Sequence, residues 1–190
     1  MDERRLRVHN FIQNSMANGP FTRSVLWVQG CDIGCAGCIN PATHLNLGRG
    51  MKVCTPEDII GWVPDNVEGI TLTGGEPFQQ PQGCAEVAEL AQARGLGVVC
   101  FTGYYELEIK MLMGNPGVAR LYNSVDLLIA GPWVRAMEVK DRPLISSSNQ
   151  KLIHLSDRYR NVDLGAEVAD LEMHFDFDMG KTIKTGIKKG

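Results

Sequence analysis

No run of apolar residues is long enough to span a bilayer, and no block of one charge marks the chain for nucleic acid or an anionic membrane. Lys and Arg number 19 against 22 Asp and Glu, a net charge of −3. Basic residues gather only at Lys181, Lys184, Lys188 and Lys189, where a solvated tail accounts for them. No internal repeat or low-complexity linker divides the 190 residues. That predicts one domain over 1–190, with its core at about 18–150 and an appendage at about 151–190. After Met1-Asp2-Glu3-Arg4-Arg5 there is no apolar segment of the secretory kind. The expectation is a cytoplasmic protein, with no nucleic-acid or membrane partner, whose thiols stay reduced.

What is present is 44% hydrophobic residues, arranged in short blocks. Ser24-Val25-Leu26-Trp27-Val28-Gln29 reads as a buried strand, and 69–73, 97–102 and 125–130 read as further strands. Thr55-Pro56-Glu57-Asp58 has the form of a helix start, with Thr55 as the cap. Helical spacing runs over 83–94, stopped by Gly95, and over 105–113, stopped by Gly114-Asn115-Pro116. Strands separated by helical segments imply right-handed crossovers and a parallel sheet. Met173 to Phe177 and Thr182 to Thr185 alternate around Asp178-Met179-Gly180, which predicts a terminal hairpin.

Six cysteines in a reduced compartment point to metal binding or catalysis before disulfides. Three stand in Cys31-Asp32-Ile33-Gly34-Cys35-Ala36-Gly37-Cys38, directly after the first predicted strand. Gly30, Gly34 and Gly37 let such a loop curl until its thiolates converge. Three thiolates can hold three irons of a cubane and leave the fourth open to a ligand. They can equally hold zinc if His44 or Cys54 supplies a fourth ligand, and spacing alone does not separate the two. Cys54, Cys84 and Cys100 fit core or helix-face positions.

Two further segments fall at the ends of predicted strands: Gly74-Gly75-Glu76-Pro77 and Thr102-Gly103-Tyr104. In parallel α/β folds, sites form at the carboxyl ends of strands, so all three segments are expected to meet.

The Cys-x3-Cys-x2-Cys spacing followed by Gly-Gly-Glu-Pro resembles the radical S-adenosylmethionine superfamily. The stretches Arg23 to Cys31 and Ala36 to His44 resemble, more narrowly, the activating enzymes of anaerobic ribonucleotide reductase. Gly37 stands where many other members of the superfamily carry an aromatic residue. Asn18-Gly19-Pro20 with Arg23, Phe101 to Tyr104, Val125 to Pro132 and Ser146 to Gln150 also resemble segments of these activases. Asn18, Phe21, Ile145 and Ser146 depart from that pattern. The resemblance implies a partial, open (β/α) barrel with parallel strands. It implies a [4Fe–4S] cluster on Cys31, Cys35 and Cys38 with one open iron. It implies S-adenosylmethionine contacts at Gly37, Cys38, Gly74, Gly75, Glu76, Thr102, Asp126 and Ser147.

The chemistry so implied is reductive cleavage of S-adenosylmethionine to a 5′-deoxyadenosyl radical, which takes a hydrogen atom from a substrate. The expected partners are a glycyl-radical enzyme of the anaerobic ribonucleotide reductase type and an electron donor such as flavodoxin or ferredoxin. Two other readings stand beside it: a radical enzyme acting on a peptide or small molecule, and a non-enzymatic iron–sulfur or zinc protein.

Overall fold

Every residue of Arg23–Val28 is buried, as a strand covered on both faces must be. The computed structural model describes residues 4–45, 51–176 and 181–186. In chain order it runs β1 (Leu6–Ser15), β2 (Arg23–Val28), β3 (Lys52–Cys54), α1 (Pro56–Gly61), β4 (Gly69–Gly74), α2 (Pro81–Ala93), β5 (Gly97–Thr102), α3 (Glu106–Met111), α4 (Pro116–Asn123), β6 (Leu127–Ala130), β7 (Lys151–His154), α5 (Leu164–Glu167), β8 (Glu172–Asp176) and β9 (Lys181–Thr185). Three 3-10 turns lie at Pro41–Thr43, Pro77–Gln79 and Arg135–Met137.

Seven strands form one sheet in the order β3-β1-β2-β4-β5-β6-β7. The central β2, β4, β5 and β6 are parallel neighbours. The outer β1, β3 and β7 pair antiparallel. Among the described residues β3 and β7 pair with no further strand, so the barrel is open. This is the expected α/β architecture with antiparallel flanks added. The sheet also extends beyond 18–150, because β1 starts at Leu6 and β7 ends at His154. The terminal hairpin exists as the antiparallel pair β8-β9, while its expected turn, 178–180, lies outside the described residues.

Alternation along the central strands sorts side chains to two faces. Leu26, Val28, Ile70, Leu72, Val98, Cys100 and Leu128 join a core with residues of α1, α2 and α4. Val99, Leu127 and Ile129 face the other way, against Leu144, Tyr159 and Val168. Val25 and Trp27 share that second face with Ile12 and the partly buried Ile183 of β9. Burying one large aliphatic side chain stabilises by about 1.5–3 kcal/mol, so the helix-side core holds the sheet while the other face is free to form a site. Local signals agree with the elements: Thr55 and Asp58 form a reciprocal capping box on α1. Asn115 caps α4 by accepting from Gly117 N at 2.9 Å. Gly114-Asn115-Pro116 therefore ends one helix, as expected, and begins another, α4, that the sequence reading did not predict.

Candidate functional site

A cavity of about 690 Å³ opens on the second face, at the carboxyl ends of the parallel strands. Trp27, Thr73 and Phe101 form its floor, one from each of three neighbouring strands. Cys31, Cys35 and Cys38 line one wall, with Gly74, Gly75 and Glu76 beside them. Thr102 and Gly103 complete the set, so the three strand-end segments meet as the parallel sheet requires. Leu171, Lys184, Thr185 and Gly186 of the C-terminal segment close the far side.

The cysteine loop is gripped from several directions. Asp32 N donates to Gln79 Oε1 at 3.1 Å. A Cβ on Gly103 would lie 2.5 Å from Ile33 Cδ1, so the Ile33 side chain rests on that glycine. Gly37 has φ +80°, and a Cβ there would lie 2.9 Å from the Trp133 ring. Any side chain on Gly75 would collide with the Gly30 carbonyl, which brings the Gly-Gly turn against the start of the loop. Gly75 N and Glu76 N donate to Val28 O and Gly30 O at 2.8 and 2.9 Å.

Electrostatics differ among these groups. Burial pushes the Cys31 thiol up, opposed by backbone N–H groups of Ile33 and Gly34 and reinforced by the nearby Glu76. Burial likewise raises Cys38, against the Asn40 N–H, with Cys35 adding to the rise. A cation held there would have to displace a proton from each thiol. Glu76 is almost wholly buried. It accepts from Phe78 N at 2.9 Å, Thr102 Oγ1 at 2.8 Å and Gly103 N at 2.8 Å. Burial without a cationic partner still outweighs those donors and pushes its carboxyl to about 7. Its side chain is thus a tie between the ends of β4 and β5.

Two expected cofactor residues are not at the cavity. Asp126 precedes β6 rather than lying inside it, and its carboxylate accepts from Val98 N at 2.8 Å and from Ser156 Oγ. That is the amino end of the sheet, opposite the cysteines, so Asp126 cannot touch a ligand there. Ser147 is fully buried behind the wall, its Oγ accepting from Val134 N at 3.3 Å. Its neighbours Ser146 and Gln150 line the cavity instead. Cys54, Cys84 and Cys100 are core residues, as expected. Trp133 and His44 also line the cavity. Sequence reasoning offered His44 only as a fourth ligand to zinc and gave Trp133 no role; an aromatic after a strand-end Gly-Pro was the available signal for Trp133.

The family model described as "4Fe-4S single cluster domain" matches residues 17–153. An anaerobic ribonucleoside-triphosphate reductase-activating protein of Salmonella typhi is 32% identical over 79% of this chain and 99% of its own length. That of Escherichia coli K12 is 30% identical over the same shares. The chain belongs to the family of anaerobic ribonucleoside-triphosphate reductase-activating proteins. A pyruvate formate-lyase-activating enzyme of Clostridium pasteurianum is 24% identical over 88% of this chain and 82% of its own. The crystal structure of QueE from Escherichia coli superposes on 52% of this chain and 53% of its own at TM-score 0.43 and 17% identity.

Membership in this activase family decides between cluster and zinc: the cofactors are a [4Fe–4S] cluster and S-adenosylmethionine. Three partly exposed thiols line the cavity, spread wider than a single ion requires: among the described residues no three His, Cys, Asp or Glu side chains stand close enough together to hold one metal ion. The donor set is the one a cubane takes, and the volume lies within the roughly 300–1,000 Å³ of ordinary ligand sites.

Proposed function

We propose that this activase holds its cluster on Cys31, Cys35 and Cys38 and generates a glycyl radical on an anaerobic ribonucleotide reductase. What supports the reading is that the three cysteines and the Gly74-Gly75 backbone share one solvent-open cavity. When bound and reduced, the cluster and S-adenosylmethionine supply a 5′-deoxyadenosyl radical that takes a hydrogen atom from the partner's glycine. The chain's own residues position and shelter. Because Gly75 N and Glu76 N already donate to β2 and Gly30, an ammonium group arriving at this turn would meet carbonyl oxygens. Glu76 holds the turn against Thr102 and Gly103. Trp27, Phe101 and Trp133 exclude water from the floor and rim. We further propose one domain over the whole chain, a cytoplasmic setting, and a flavodoxin or ferredoxin as electron donor.

Anaerobic reconstitution tests the reading. The brown protein should convert S-adenosylmethionine to 5′-deoxyadenosine under dithionite, and with the reductase should give a glycyl doublet in electron paramagnetic resonance. Cys35→Ala should abolish colour and cleavage together; cleavage retained in that variant would refute the ligand assignment.

A further inference from the structure

Gln29 is wholly buried at the junction of β2 and the cysteine loop. Its Nε2 donates to Ala42 O at 2.9 Å and to Leu45 O at 2.6 Å. Only the amino end of an amide can serve two carbonyls, so the orientation of this side chain is determined. Oε1 must then face His9 Nδ1, which lies 2.7 Å away. Since Oε1 can only accept, His9 carries its proton on Nδ1. His9 sits where the β1–β2 register shifts between Val8 and Asn10. Such a bulge re-aims a side chain, here toward Gln29.

The two carbonyls belong to the limb on which the cysteine loop returns to the sheet. Thr43 O accepts from Gly30 N at 2.7 Å, and His44 O accepts from Cys31 N at 3.2 Å. The same limb begins at Asn40, whose N–H points to Cys38 Sγ at 3.4 Å. Gln29 thus fills the closed loop from inside and couples its first cysteine to its third. Its own backbone is held separately, Gln29 N donating to Arg7 O at 2.8 Å and Gln29 O accepting from Gln80 Nε2 at 3.1 Å. Loss of the side chain would therefore fall on the loop rather than the strand.

We infer that Gln29, oriented by His9, is a positioning residue that fixes the return limb and through it the thiolate of Cys38. The inference rests on the reading of Cys31, Cys35 and Cys38 as cluster ligands. Residues that orient metal ligands typically change metal retention by roughly tenfold to a hundredfold when removed. In the reconstituted protein, Gln29→Leu should release iron to a chelator roughly tenfold faster and alter the resonance spectrum of the reduced cluster. His9→Ala, which leaves Gln29 in place, should shift both in the same direction by less, and serves if the first variant folds poorly. In the double variant His9→Ala should add nothing to Gln29→Leu, because it acts only through that residue. Ser24→Ala removes a comparable buried hydrogen bond at the far end of β2, to Gln13 O, and should leave the spectrum unchanged. Wild-type release and spectrum in Gln29→Leu, an equal effect of Ser24→Ala, or additivity of the two variants would overturn the proposal. Failure of the wild type to take up iron, or a normal cluster in Cys38→Ala, would instead overturn the ligand reading beneath it.

Discussion

Gly37 shows how little freedom single positions of the loop have. Its φ of +80° is a conformation L side chains rarely adopt, and the Trp133 ring occupies the space a Cβ needs. Gly37→Ala therefore carries backbone strain of about 1–2 kcal/mol and must displace the indole. The expected result is a folded protein with a lower iron content after reconstitution, which metal analysis per folded chain would reveal. Glu76 gives a second prediction at this scale. Its carboxyl is raised from 4.5 to about 7, first by burial, so the folded chain holds that proton more tightly than the unfolded one. The stability this contributes is complete below about pH 4.5 and is lost as pH rises through about 7. Denaturant midpoints of the cluster-free protein should fall between pH 5 and 8, and Glu76→Gln should flatten that slope. An unchanged slope in the variant would assign the pH dependence elsewhere. Much of this scale was legible in advance: tight cysteine spacing and a Gly-Gly turn carry their own chemistry. Asp126 was misplaced by the resemblance alone: the strand read at 125–130 already put it at the amino end, away from a site at the carboxyl ends. Gln29 was not legible, because its partners lie 13 and 16 positions away on a limb with no periodicity to betray it.

Among elements, the terminal hairpin adds a wall to the site beyond the parallel strands. Glu172 on β8 accepts from Ser15 Oγ at 2.6 Å and from Met16 N at 2.7 Å. Thr185 on β9 donates to Asn18 Oδ1 at 2.9 Å. These bonds dock the pair beside the cavity, where Lys184 and Thr185 form its far wall. Burial would raise the Glu172 carboxyl, but the bonds from Ser15, Met16 and His174 prevail and hold it below its usual range. A lowered carboxyl contributes stability above the unfolded value of about 4.3 and loses it as pH falls. Acidification from about pH 5 toward 3 should loosen the hairpin before the sheet, seen as a falling hydrogen-exchange protection factor at the Met16 amide. Glu172→Gln should lower that protection and make it independent of pH over the same range. The hairpin was readable from strict alternation, as β2, β4 and β5 were from continuous apolar runs. The flanking β1, β3 and β7 were missed for a physical reason. Flanking strands with one wet side interleave polar residues, and the bulges of β1 break the period that would have revealed it.

The whole molecule separates its two ends. Cysteines and glycines occupy the carboxyl ends of the strands, while Arg23 locks the amino ends. Arg23 is fully buried and donates to Pro20 O at 2.7 Å and to Ile70 O and Gly97 O at 3.2 Å. It pairs with Glu68 at 3.2 Å and lies 5.5 Å from the Tyr159 ring centroid. Tyr159 OH in turn donates to Glu68 Oε2, and Arg158 pairs with Glu68 at 2.7 Å. One planar guanidinium thus satisfies carbonyls from three segments and a carboxylate at once. A lysine ammonium keeps the charge but cannot span that fork. Arg23→Lys would leave buried carbonyls unpaired, at a cost of about 1–3 kcal/mol for each group stranded. Nothing in this lock touches the cysteine loop, which is held by Gln79, Trp133, Gln29 and the Gly-Gly turn at the other end. The expected outcome is a lowered denaturation midpoint with an unchanged cluster spectrum and unchanged S-adenosylmethionine cleavage per folded molecule. A spectral change in this variant would show that strain at the amino ends reaches the cluster through the sheet. The lock and the site would then be one cooperative unit rather than two devices on a shared scaffold.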